Sequence, residues 1–460
     1  MKPPTIAFRH FGCKVNFAEA STLSRQFADK GYQLNGFHDK ADIYVISSCV
    51  VTAMAEKKCR AAIRQAHNLN PDARIAVIGC FPELKAGEVS KMEGVDIVLG
   101  HQGKFNLLEE IEGRRAKEEG RRTKDEGRGK PPSEGWAGSS EGLEVYPASG
   151  LRHPASDDLV SSFIPSYSVG DRTRSFLKIQ DGCDYHCSYC TIPLARGNSR
   201  SDTIAHILHE AREIKDSGVK EIILTGVNIG DFGKHNKETF FQLLYALENE
   251  ISIPRIRISS IEPDLLHDEI IDLVASSEKF LPHFHIPLQS GCDKTLRAMK
   301  RKYNTAHYTS RVEKIRKELP YACIAADVIV GFPGETWQDF KETLAFLEQL
   351  QISYLHVFSY SKRENTLAAQ SPEAIPNTVK KSRSEQLHQL SDSKKKDFYQ
   401  SCKGQTTMVL FESDNKNGMM HGFTENYIKV KTLYDPTRVN EIKCVRLEEL
   451  DEDMCYNVKW

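Results

Sequence analysis

Two stretches of the chain alternate short apolar runs with longer segments whose apolar positions recur at helical spacing. In the first stretch, residues 1–111, buried strands that alternate with helices predict a parallel-sheet α/β domain covered on both faces. Its predicted elements are helices at 18–30 and 53–68 and strands at 5–11, 42–47, 73–78 and 95–99.

The second stretch, residues 169–398, shows the same alternation and ends with a basic helix at 378–398. Its six predicted strands lie at 175–179, 221–225, 255–259, 283–287, 325–330 and 354–358. A complete β/α barrel has eight strand–helix units. Six units therefore predict an open or partial (β/α) barrel.

Two further segments differ from both stretches in composition. Residues 112–168 begin with a charged run in which Glu-Gly-Arg recurs. Because such a run buries little apolar surface, the segment is predicted to be a flexible insert or linker. A nucleic-acid-binding arm is the alternative, although acidic residues nearly balance basic ones there. Residues 399–460 contain short β-rich pieces and predict a small antiparallel β-barrel.

The composition of the 460-residue chain is that of a soluble globular protein, with 40% hydrophobic and 27% charged residues. No apolar run approaches the roughly 18 residues needed to cross a bilayer, and the start lacks a secretory signal, so we expect a cytoplasmic protein without a membrane partner. The formal charge is −1, so nucleic-acid binding requires a local basic patch. Twelve cysteines are too few for a disulfide scaffold.

Three of these cysteines stand close together after a predicted strand. Cys183, Cys187 and Cys190 have the spacing Cys-x3-Cys-x2-Cys and are called here the second trio. Three thiolates hold three irons of a 4Fe–4S cluster and leave the fourth iron open to another ligand. Zinc with His186 as the fourth ligand fits the spacing poorly, and inert thiols are the remaining alternative.

The second trio resembles the signature of radical S-adenosylmethionine enzymes. Residues 191–197, Thr-Ile-Pro-Leu-Ala-Arg-Gly, further resemble the methylthiotransferase family within that group. This resemblance implies that the open iron binds the amino and carboxylate groups of S-adenosylmethionine. It also implies that an electron from the cluster cleaves this cofactor to a 5′-deoxyadenosyl radical.

Cys13, Cys49 and Cys80, the first trio, each follow a predicted strand of the first stretch. The carboxyl ends of parallel strands share one edge of a sheet, so these thiols are expected to converge there. Taken alone, they are equally well interpreted as small buried hydrophobic residues. The resemblance to the methylthiotransferase N-terminal domain implies instead a second, auxiliary 4Fe–4S cluster that delivers sulfur. The other six cysteines fit neither trio and are interpreted as structural.

The resemblance also suggests S-adenosylmethionine contacts at four residues near predicted strand ends. These candidates are Gly226, Asn228, Glu262 and Gln289. An ordinary strand-end turn is the alternative for the glycine-containing segment 224–230, and simple packing is the alternative for Glu262 and His285. Residues 331–336 resemble a turn beside the adenine, with Thr336 a candidate helix cap. At 365–368 the chain reads Asn-Thr-Leu-Ala where relatives read Gly-Thr-Pro-Ala, so substrate binding in this loop is in doubt.

Residues 423–430 resemble the TRAM module, a small β-barrel that binds RNA. Basic residues are dense at 294–317 and 380–396, although a solvated helix face is the alternative for either stretch. Residues 12–16 and 226–230 look most like the family branch that adds a methylthio group to carbon 2 of N6-threonylcarbamoyladenosine at tRNA position 37. The implied partners are the tRNA anticodon arm and an electron donor such as a flavodoxin or ferredoxin.

Three rival functions remain open from the sequence. Two are family activities on isopentenyladenosine in tRNA or on an aspartate of a ribosomal protein. The third is a non-catalytic RNA-binding protein with zinc in the cysteine sites.

Overall fold

The computed structural model describes residues 3–49, 53–126, 163–170 and 173–459. The chain divides into two compact units: the first lies within residues 1–161 and includes Leu194–Arg196, and the second comprises 162–193 and 197–460. None of the helices in the described ranges combines the length and apolar character needed to cross a bilayer.

The first unit is built on five parallel strands in the order β2-β1-β3-β4-β5. This sheet confirms the predicted parallel α/β fold; strand β2 and helices α3 and α4 were not predicted. The strands are β1 (Thr5–His10), β2 (Gln33–Asn35), β3 (Ile43–Ser48), β4 (Arg74–Gly79) and β5 (Val95–Leu99). The helices are α1 (Lys14–Asp29), α2 (Ala53–Leu69), α3 (Cys80–Val89) and α4 (Leu107–Glu126).

Both faces of this sheet are buried. Along β3, Tyr44 and Ile46 join the core on one face, whereas Ile43 and Val45 join the core on the other. Side chains of a strand alternate between faces, so an apolar residue at nearly every position requires helices on both sides. The continuous apolar run of β3 therefore explains the layered architecture.

Helix α4 continues to Glu126, which is beyond the boundary at residue 111 that composition predicts. Ile111 is fully buried, and Arg114 pairs with Glu110 one helical turn earlier. Glu, Lys and Arg are good helix formers, so a charged sequence extends a helix once its first turns are anchored in the core. Of the rest of the predicted linker at 112–168, residues 127–162 lie outside the described residues, and residues 163–168 include the short strand β6 (Ser166–Tyr167).

The core of the second unit contains six parallel strands, which confirms the predicted partial barrel. They form two sheets, β11-β10-β7 with β6 antiparallel at its edge, and β12-β13-β14. Single bridges such as Ser260 to His285 link β11 with the chain around β12. The strands are β6 (Ser166–Tyr167), β7 (Arg174–Lys178), β8 (Gln180–Asp181), β9 (Arg200–Ser201), β10 (Glu221–Thr225), β11 (Arg255–Ile258), β12 (His283–His285), β13 (Cys323–Val330) and β14 (Tyr354–Ser359).

Helices cover the outer face of these strands and complete a large apolar core. The helices that follow α4 are α5 (Ile192–Arg196), α6 (Ile204–Asp216), α7 (Phe240–Glu250), α8 (Asp268–Ser276), α9 (Asp293–Ala298), α10 (Thr305–Glu318), α11 (Trp337–Gln349) and α12 (Asn377–Ser401). Thr336 caps α11 as predicted, because its hydroxyl accepts the N–H of Asp339 at 3.2 Å.

The C-terminal residues form a curled, six-stranded half-barrel rather than a closed barrel. Its strands have the order β18-β15-β16-β17-β20-β19, with only β17 and β20 parallel. They are β15 (Thr406–Phe411), β16 (Met419–Thr424), β17 (Lys429–Leu433), β18 (Ile442–Arg446), β19 (Glu449–Leu450) and β20 (Tyr456–Asn457).

Buried arginines join the half-barrel to the parallel strands of the same unit. Arg255 donates to the carbonyl oxygen of Thr424 at 3.1 Å. Arg257 donates to the carbonyl oxygen of Glu425 at 3.2 Å. Both guanidinium groups also pair with the buried carboxylate of Glu221, at 2.8 and 3.1 Å. The junction is therefore a charged, hydrogen-bonded contact that side-chain patterning does not reveal.

Candidate functional site

The second trio lies in a loop that begins with a glycine no other residue can replace. Gly182 has φ +68°, and a Cβ atom there would lie 1.9 Å from the carbonyl oxygen of Asn198. The next residue, Cys183, donates its N–H to the carbonyl oxygen of Gly197 at 3.1 Å. The loop is thus held against residues 197–198 from its first cysteine.

Each sulfur of the second trio accepts one hydrogen bond. The N–H of Tyr185 donates to Cys183 Sγ at 3.4 Å, and the N–H of Ile192 donates to Cys190 Sγ at 3.5 Å. The guanidinium of Arg301 donates to Cys187 Sγ at 3.0 Å. Donors aimed at sulfur stabilise thiolates, which are the form that binds metal.

The middle of the loop is fixed by the chain around it. Ser188 donates its N–H to the carbonyl oxygen of Met299 at 3.1 Å and its hydroxyl to that of Ala298 at 2.8 Å. The N–H of Ala368 donates to the carbonyl oxygen of Ser188 at 2.8 Å. These hydrogen bonds hold the middle of the loop that carries the three sulfurs.

Burial raises the pKa of all three thiols of this loop above the ordinary value for cysteine. Burial raises the pKa of Cys183 and of Cys190 to about 12, and the neighbouring cysteines raise both further. Burial also raises the pKa of Cys187, although Arg301 opposes this effect. Metal binding at this site must therefore release protons.

Gly226 and Asn228 lie together beside the base of the loop. A Cβ on Gly226 would lie 2.9 Å from the carbonyl oxygen of Gln180, so this close approach requires glycine. The fully buried Gln180 side chain accepts the N–H groups of Val227 and Asn228 at 3.0 and 2.8 Å, and it donates to the carbonyl oxygen of Gly182 at 2.8 Å. Gln180, which sequence reasoning missed, thereby connects the predicted cofactor segment to the cysteine loop.

Asn228 carries a buried atom that lacks a partner. Its side chain is 2% exposed, and its Nδ2 donates to Asp231 at 2.8 Å. Its Oδ1 has no hydrogen-bond partner among the described residues. A buried oxygen without a donor is costly unless a ligand supplies one.

Glu262 lies in the same region as the second trio and pairs with Arg301. Burial raises the pKa of Glu262 to about 7, although Arg301 lowers it. Arg301 contacts both Glu262 and Cys187, so the structure brings the predicted cofactor residue and a predicted cluster ligand to one guanidinium. Sequence reasoning assigned Arg301 to a basic RNA-binding stretch and missed this role.

Gln289 has a left-handed backbone, with φ +71°. Its N–H donates to the carbonyl oxygen of Asp327 at 2.7 Å, and it accepts the N–H of Ile329 at 2.9 Å. His285 lies between Ser260 and Asp327 and contacts their side chains at 2.8 and 2.6 Å. Gln289, with its left-handed backbone, and the hydrogen-bonded side chains around His285 lie at neighbouring strand ends, where the sites of barrel enzymes form.

In the first unit, the three cysteines of the first trio lie at the carboxyl ends of β1, β3 and β4. A Cβ on Gly12 would lie 3.0 Å from Cys49 Sγ, and one on Gly79 would lie 2.9 Å from the carbonyl oxygen of Ser48. Both glycines have positive φ, at +118° and +103°. The turns that carry Cys13 and Cys80 are therefore packed tightly against the end of β3, as the sequence predicts.

Buried charges accompany the first trio. Lys104 Nζ lies 2.5 Å from Glu19 Oε2, and both side chains are 2% exposed. Arg196, which belongs to this unit, also pairs with Glu19, at 3.2 Å. Burial raises the pKa of Cys80, whereas the cations Arg196 and Lys104 lower it. These cations favour the thiolate at Cys80, and sequence patterning gave no signal for them.

The loop that departs from its relatives keeps a backbone that glycine would adopt. Asn365 has φ +64°, and asparagine tolerates this conformation better than most residues. Thr366 is buried, and Ala368 packs with Phe332 and Tyr360. The loop therefore retains its contact with the cysteine loop despite the substitution.

Many of the basic residues predicted to face RNA are occupied within the second unit. Arg383 is buried against Glu335, and Arg311 pairs with Asp268. Lys394 donates to the last carbonyl oxygens around the end of α11, at 3.1 and 2.9 Å. Exposed members of the two stretches are Lys294, which pairs with Asp339 at 2.9 Å, and Arg297, Lys300, Lys302, Lys317, Lys381 and Lys396.

The remaining cysteines are mostly packing residues. Cys59, Cys292, Cys323, Cys402 and Cys455 are buried, and Cys444 is exposed. His186, the alternative zinc ligand, is also exposed.

Comparisons with known proteins agree with this arrangement. Residues 177–347 match the radical SAM superfamily, and residues 5–100 match a family described as uncharacterized protein family UPF0004. The radical S-adenosylmethionine methyltransferase TsrM from Kitasatospora setae superposes with a TM-score of 0.56 over 80% of this chain and 77% of that chain. The two are 14% identical, so this likeness concerns the fold.

Curated relatives match nearly the whole chain. A protein named threonylcarbamoyladenosine tRNA methylthiotransferase MtaB from Bacillus subtilis is 36% identical over 93% of this chain and 90% of its own length. A protein of the same name from Thermotoga maritima is 33% identical over 98% of this chain and 95% of its own length. A tRNA-2-methylthio-N(6)-dimethylallyladenosine synthase from Methylacidiphilum infernorum is 30% identical over 90% and 85%. The chain therefore belongs to the radical S-adenosylmethionine methylthiotransferases, enzymes that use S-adenosylmethionine and a 4Fe–4S cluster.

Proposed function

We propose that this enzyme replaces the hydrogen on carbon 2 of N6-threonylcarbamoyladenosine, at position 37 of tRNA, with a methylthio group. The observation that carries the proposal is the pair of cysteine trios, the first at the carboxyl ends of the parallel strands β1, β3 and β4 and the second in one loop after β7 and β8. Relatives that match over nine-tenths of the chain and carry the corresponding name support this substrate.

The second trio is the proposed site of the cluster that binds S-adenosylmethionine. Its three sulfurs, each with a hydrogen-bond donor, suit three irons and leave the fourth open. The unpartnered Oδ1 of Asn228 offers an acceptor for a cofactor donor such as an amino group or hydroxyl. The first trio is the proposed site of a second, auxiliary 4Fe–4S cluster from which sulfur is delivered.

The remaining cofactor residues have separate proposed roles. Gly226 lets the backbone approach closely, Glu262 and Gln289 offer polar groups for cofactor hydroxyls, and Arg301 holds Glu262 in place. When bound, the cluster and S-adenosylmethionine supply the radical that removes the substrate hydrogen. A second S-adenosylmethionine supplies the methyl group.

Residues 399–460 are the proposed RNA-binding domain, TRAM-like in sequence, and the exposed basic residues are proposed to contact the anticodon arm. A flavodoxin or ferredoxin is the proposed electron donor. Exposed basic side chains bind phosphate more readily than those with buried partners. Lys396 and Lys381, whose pair with Glu385 at 3.9 Å is exposed, are therefore better candidates than Arg383 or Lys394.

The substrate is tested with anaerobically reconstituted full-length protein. The protein is incubated with S-adenosylmethionine, a low-potential reductant, sulfide and tRNA that carries N6-threonylcarbamoyladenosine. Matched reactions contain tRNA with isopentenyladenosine, or a ribosomal protein with its target aspartate. Mass analysis of the digested products is expected to show the methylthio group on the first substrate alone. Its appearance on either alternative substrate instead would assign the chain to that rival activity.

Metal content separates the enzyme from a zinc-containing RNA-binding protein. About eight irons per chain are expected for two 4Fe–4S clusters. Zinc without iron in anaerobically prepared protein would contradict the proposal.

The RNA surface is tested by reversing two exposed charges. Lys381→Glu with Lys396→Glu is expected to weaken tRNA binding and to lower the slope of log affinity against log salt by about 0.7–0.9 per lost phosphate contact. Lys394→Gln is the control, because this lysine caps α11 and has no proposed phosphate contact. An unchanged slope in the double variant would remove α12 from the RNA surface.

A further inference from the structure

Arg301 is a buried cation in direct contact with a cysteine of the second trio. Its side chain is 2% exposed, yet it carries a permanent charge. One Nη atom donates to Cys187 Sγ at 3.0 Å, the other Nη pairs with Glu262, and Nε donates to the hydroxyl oxygen of Tyr303 at 3.1 Å. The three sides of the guanidinium are thus each directed at a different acceptor.

The position of Arg301 is fixed by the turn that carries it. Its N–H donates to the carbonyl oxygen of Leu296 at 3.0 Å, just after α9. The hydroxyl of Tyr303 donates in turn to the carbonyl oxygens of Pro287 and Leu288, at 2.7 and 2.8 Å. These hydrogen bonds hold the guanidinium beside Cys187.

The contact makes Cys187 different from the other two cysteines. Cys183 and Cys190 accept hydrogen bonds from backbone N–H groups, whereas Cys187 accepts one from a charged side chain. Hydrogen bonds and nearby positive charge at cluster sulfurs stabilise the reduced cluster, because reduction adds one negative charge. A charge-assisted bond in a buried site has a larger effect than a neutral one.

We propose that Arg301 raises the reduction potential of the radical-generating cluster by donating to the Cys187 sulfur, and that Glu262 moderates this effect. The inference rests on the proposed function, because it takes Cys187 as a cluster ligand. One electron enters from a protein donor and no proton is transferred to Arg301. Glu262 offsets part of the guanidinium charge, so its removal and the removal of Arg301 shift the potential in opposite directions.

The experiment uses full-length protein with the first trio changed to alanine, so that a single cluster is titrated. The midpoint potential is measured without S-adenosylmethionine by an anaerobic redox titration followed by electron paramagnetic resonance. Arg301→Met is expected to lower the equilibrium constant for one-electron reduction about tenfold, which is a midpoint about 59 mV more negative. Glu262→Gln is expected to raise the midpoint, and Arg301→Lys to fall between wild type and Arg301→Met.

Lys302→Met is the matched control. Lys302 is the neighbouring cation, exposed over the Tyr185 ring at 3.6 Å, so this variant removes the same charge without touching a sulfur. Equal midpoints for Arg301→Met and Lys302→Met would overturn the proposal. If Arg301→Met fails to assemble a cluster, the test uses Arg301→Lys and Glu262→Gln, whose midpoint potentials are expected to shift in opposite directions from wild type. Equal midpoint potentials for these two variants would also overturn the proposal. Absence of any iron cluster in the parent protein would contradict the proposed function itself, which is a different result.

Discussion

The two cysteine trios are built in different ways. The second trio lies within residues 183–190, so one short loop determines the spacing of its sulfurs. The cysteines of the first trio are 36 and 31 residues apart, and only the parallel register of β1, β3 and β4 brings their turns together. A local motif is therefore readable from sequence, whereas a dispersed motif depends on the sheet being correct.

Removing the second trio is expected to have the largest effect. Cys183→Ala with Cys187→Ala and Cys190→Ala should abolish cleavage of S-adenosylmethionine and reduce iron from about eight to about four per chain. The measurements are deoxyadenosine production and iron content, with exposed Cys444→Ala as the control. Normal deoxyadenosine production by the triple variant would contradict the assignment of these cysteines to the cluster that cleaves S-adenosylmethionine.

Removing the first trio should stop formation of the methylthio product without stopping cleavage of S-adenosylmethionine, whereas removing the second trio should stop both. Cys13→Ala with Cys49→Ala and Cys80→Ala is expected to leave S-adenosylmethionine cleavage measurable while methylthio product disappears. The reason is that radical generation and sulfur delivery are assigned to different clusters. Full methylthio product in tRNA from this variant would show that the first trio has no role in sulfur delivery.

The glycines test how each trio is held. Gly182→Ala places a Cβ 1.9 Å from a carbonyl oxygen at a positive φ, so nearly all iron at the second trio should be lost. Gly79→Ala meets a carbonyl oxygen at 2.9 Å and should reduce iron at the first trio less completely. Iron analysis and spectroscopy distinguish the two sites.

Gly87→Ala is the control for both glycine variants. Gly87 lies in α3, and a Cβ there meets nothing within 4 Å. Equal iron content in all three variants would show that the two turns accommodate a side chain and that glycine is not what fixes them.

A smaller effect is expected from a buried charge at the opposite end of the strands from the second trio. The pKa of Glu221 is lowered to about 2 because the attraction of Arg257, Arg255 and Arg174 exceeds the effect of burial. A carboxyl whose folded pKa is depressed stabilises the fold above its unfolded pKa of 4.5, and this stability is lost as the pH falls from 4.5 towards 2. Glu221→Gln should therefore lower the free energy of unfolding by about 3 kcal/mol at pH 7.

Urea denaturation of both proteins at pH 7 and at pH 3.5 measures this contribution. The wild type should lose stability on acidification, and Glu221→Gln should lose less, because the titrating carboxyl is absent. Iron content at the second trio should not change, since Glu221 begins β10 and the second trio follows the opposite end of the parallel strand β7. A wild-type acid response retained in full by the variant would contradict the role of this carboxyl.

The sequence alone determined most of the parallel strands, the partial barrel and both cysteine trios. Buried strands such as β3 carry apolar residues at nearly every position, and this pattern identifies them without knowledge of their neighbours. Its limits appear at α4 and at the half-barrel. The charged sequence of α4 is typical of a linker, and only the burial of Ile111 in the core shows that it continues a helix. Whether the C-terminal strands form a closed barrel or a half-barrel depends on which strands pair, and the sequence does not show this pairing.

Only the tertiary structure decided which charged residues are available to a ligand. Three residues of the predicted RNA-binding stretches instead have partners within the fold. Arg301 donates to a cysteine sulfur, Arg383 pairs with a buried carboxylate, and Lys394 donates to carbonyl oxygens at a helix end. The charge of a residue is a property of its chemistry, whereas its partner is set by folding contacts across dozens of residues. For this reason the six cysteines could be predicted as metal ligands from the sequence, whereas only the fold identified the polar residues around them, Gln180, Lys104 and Arg301.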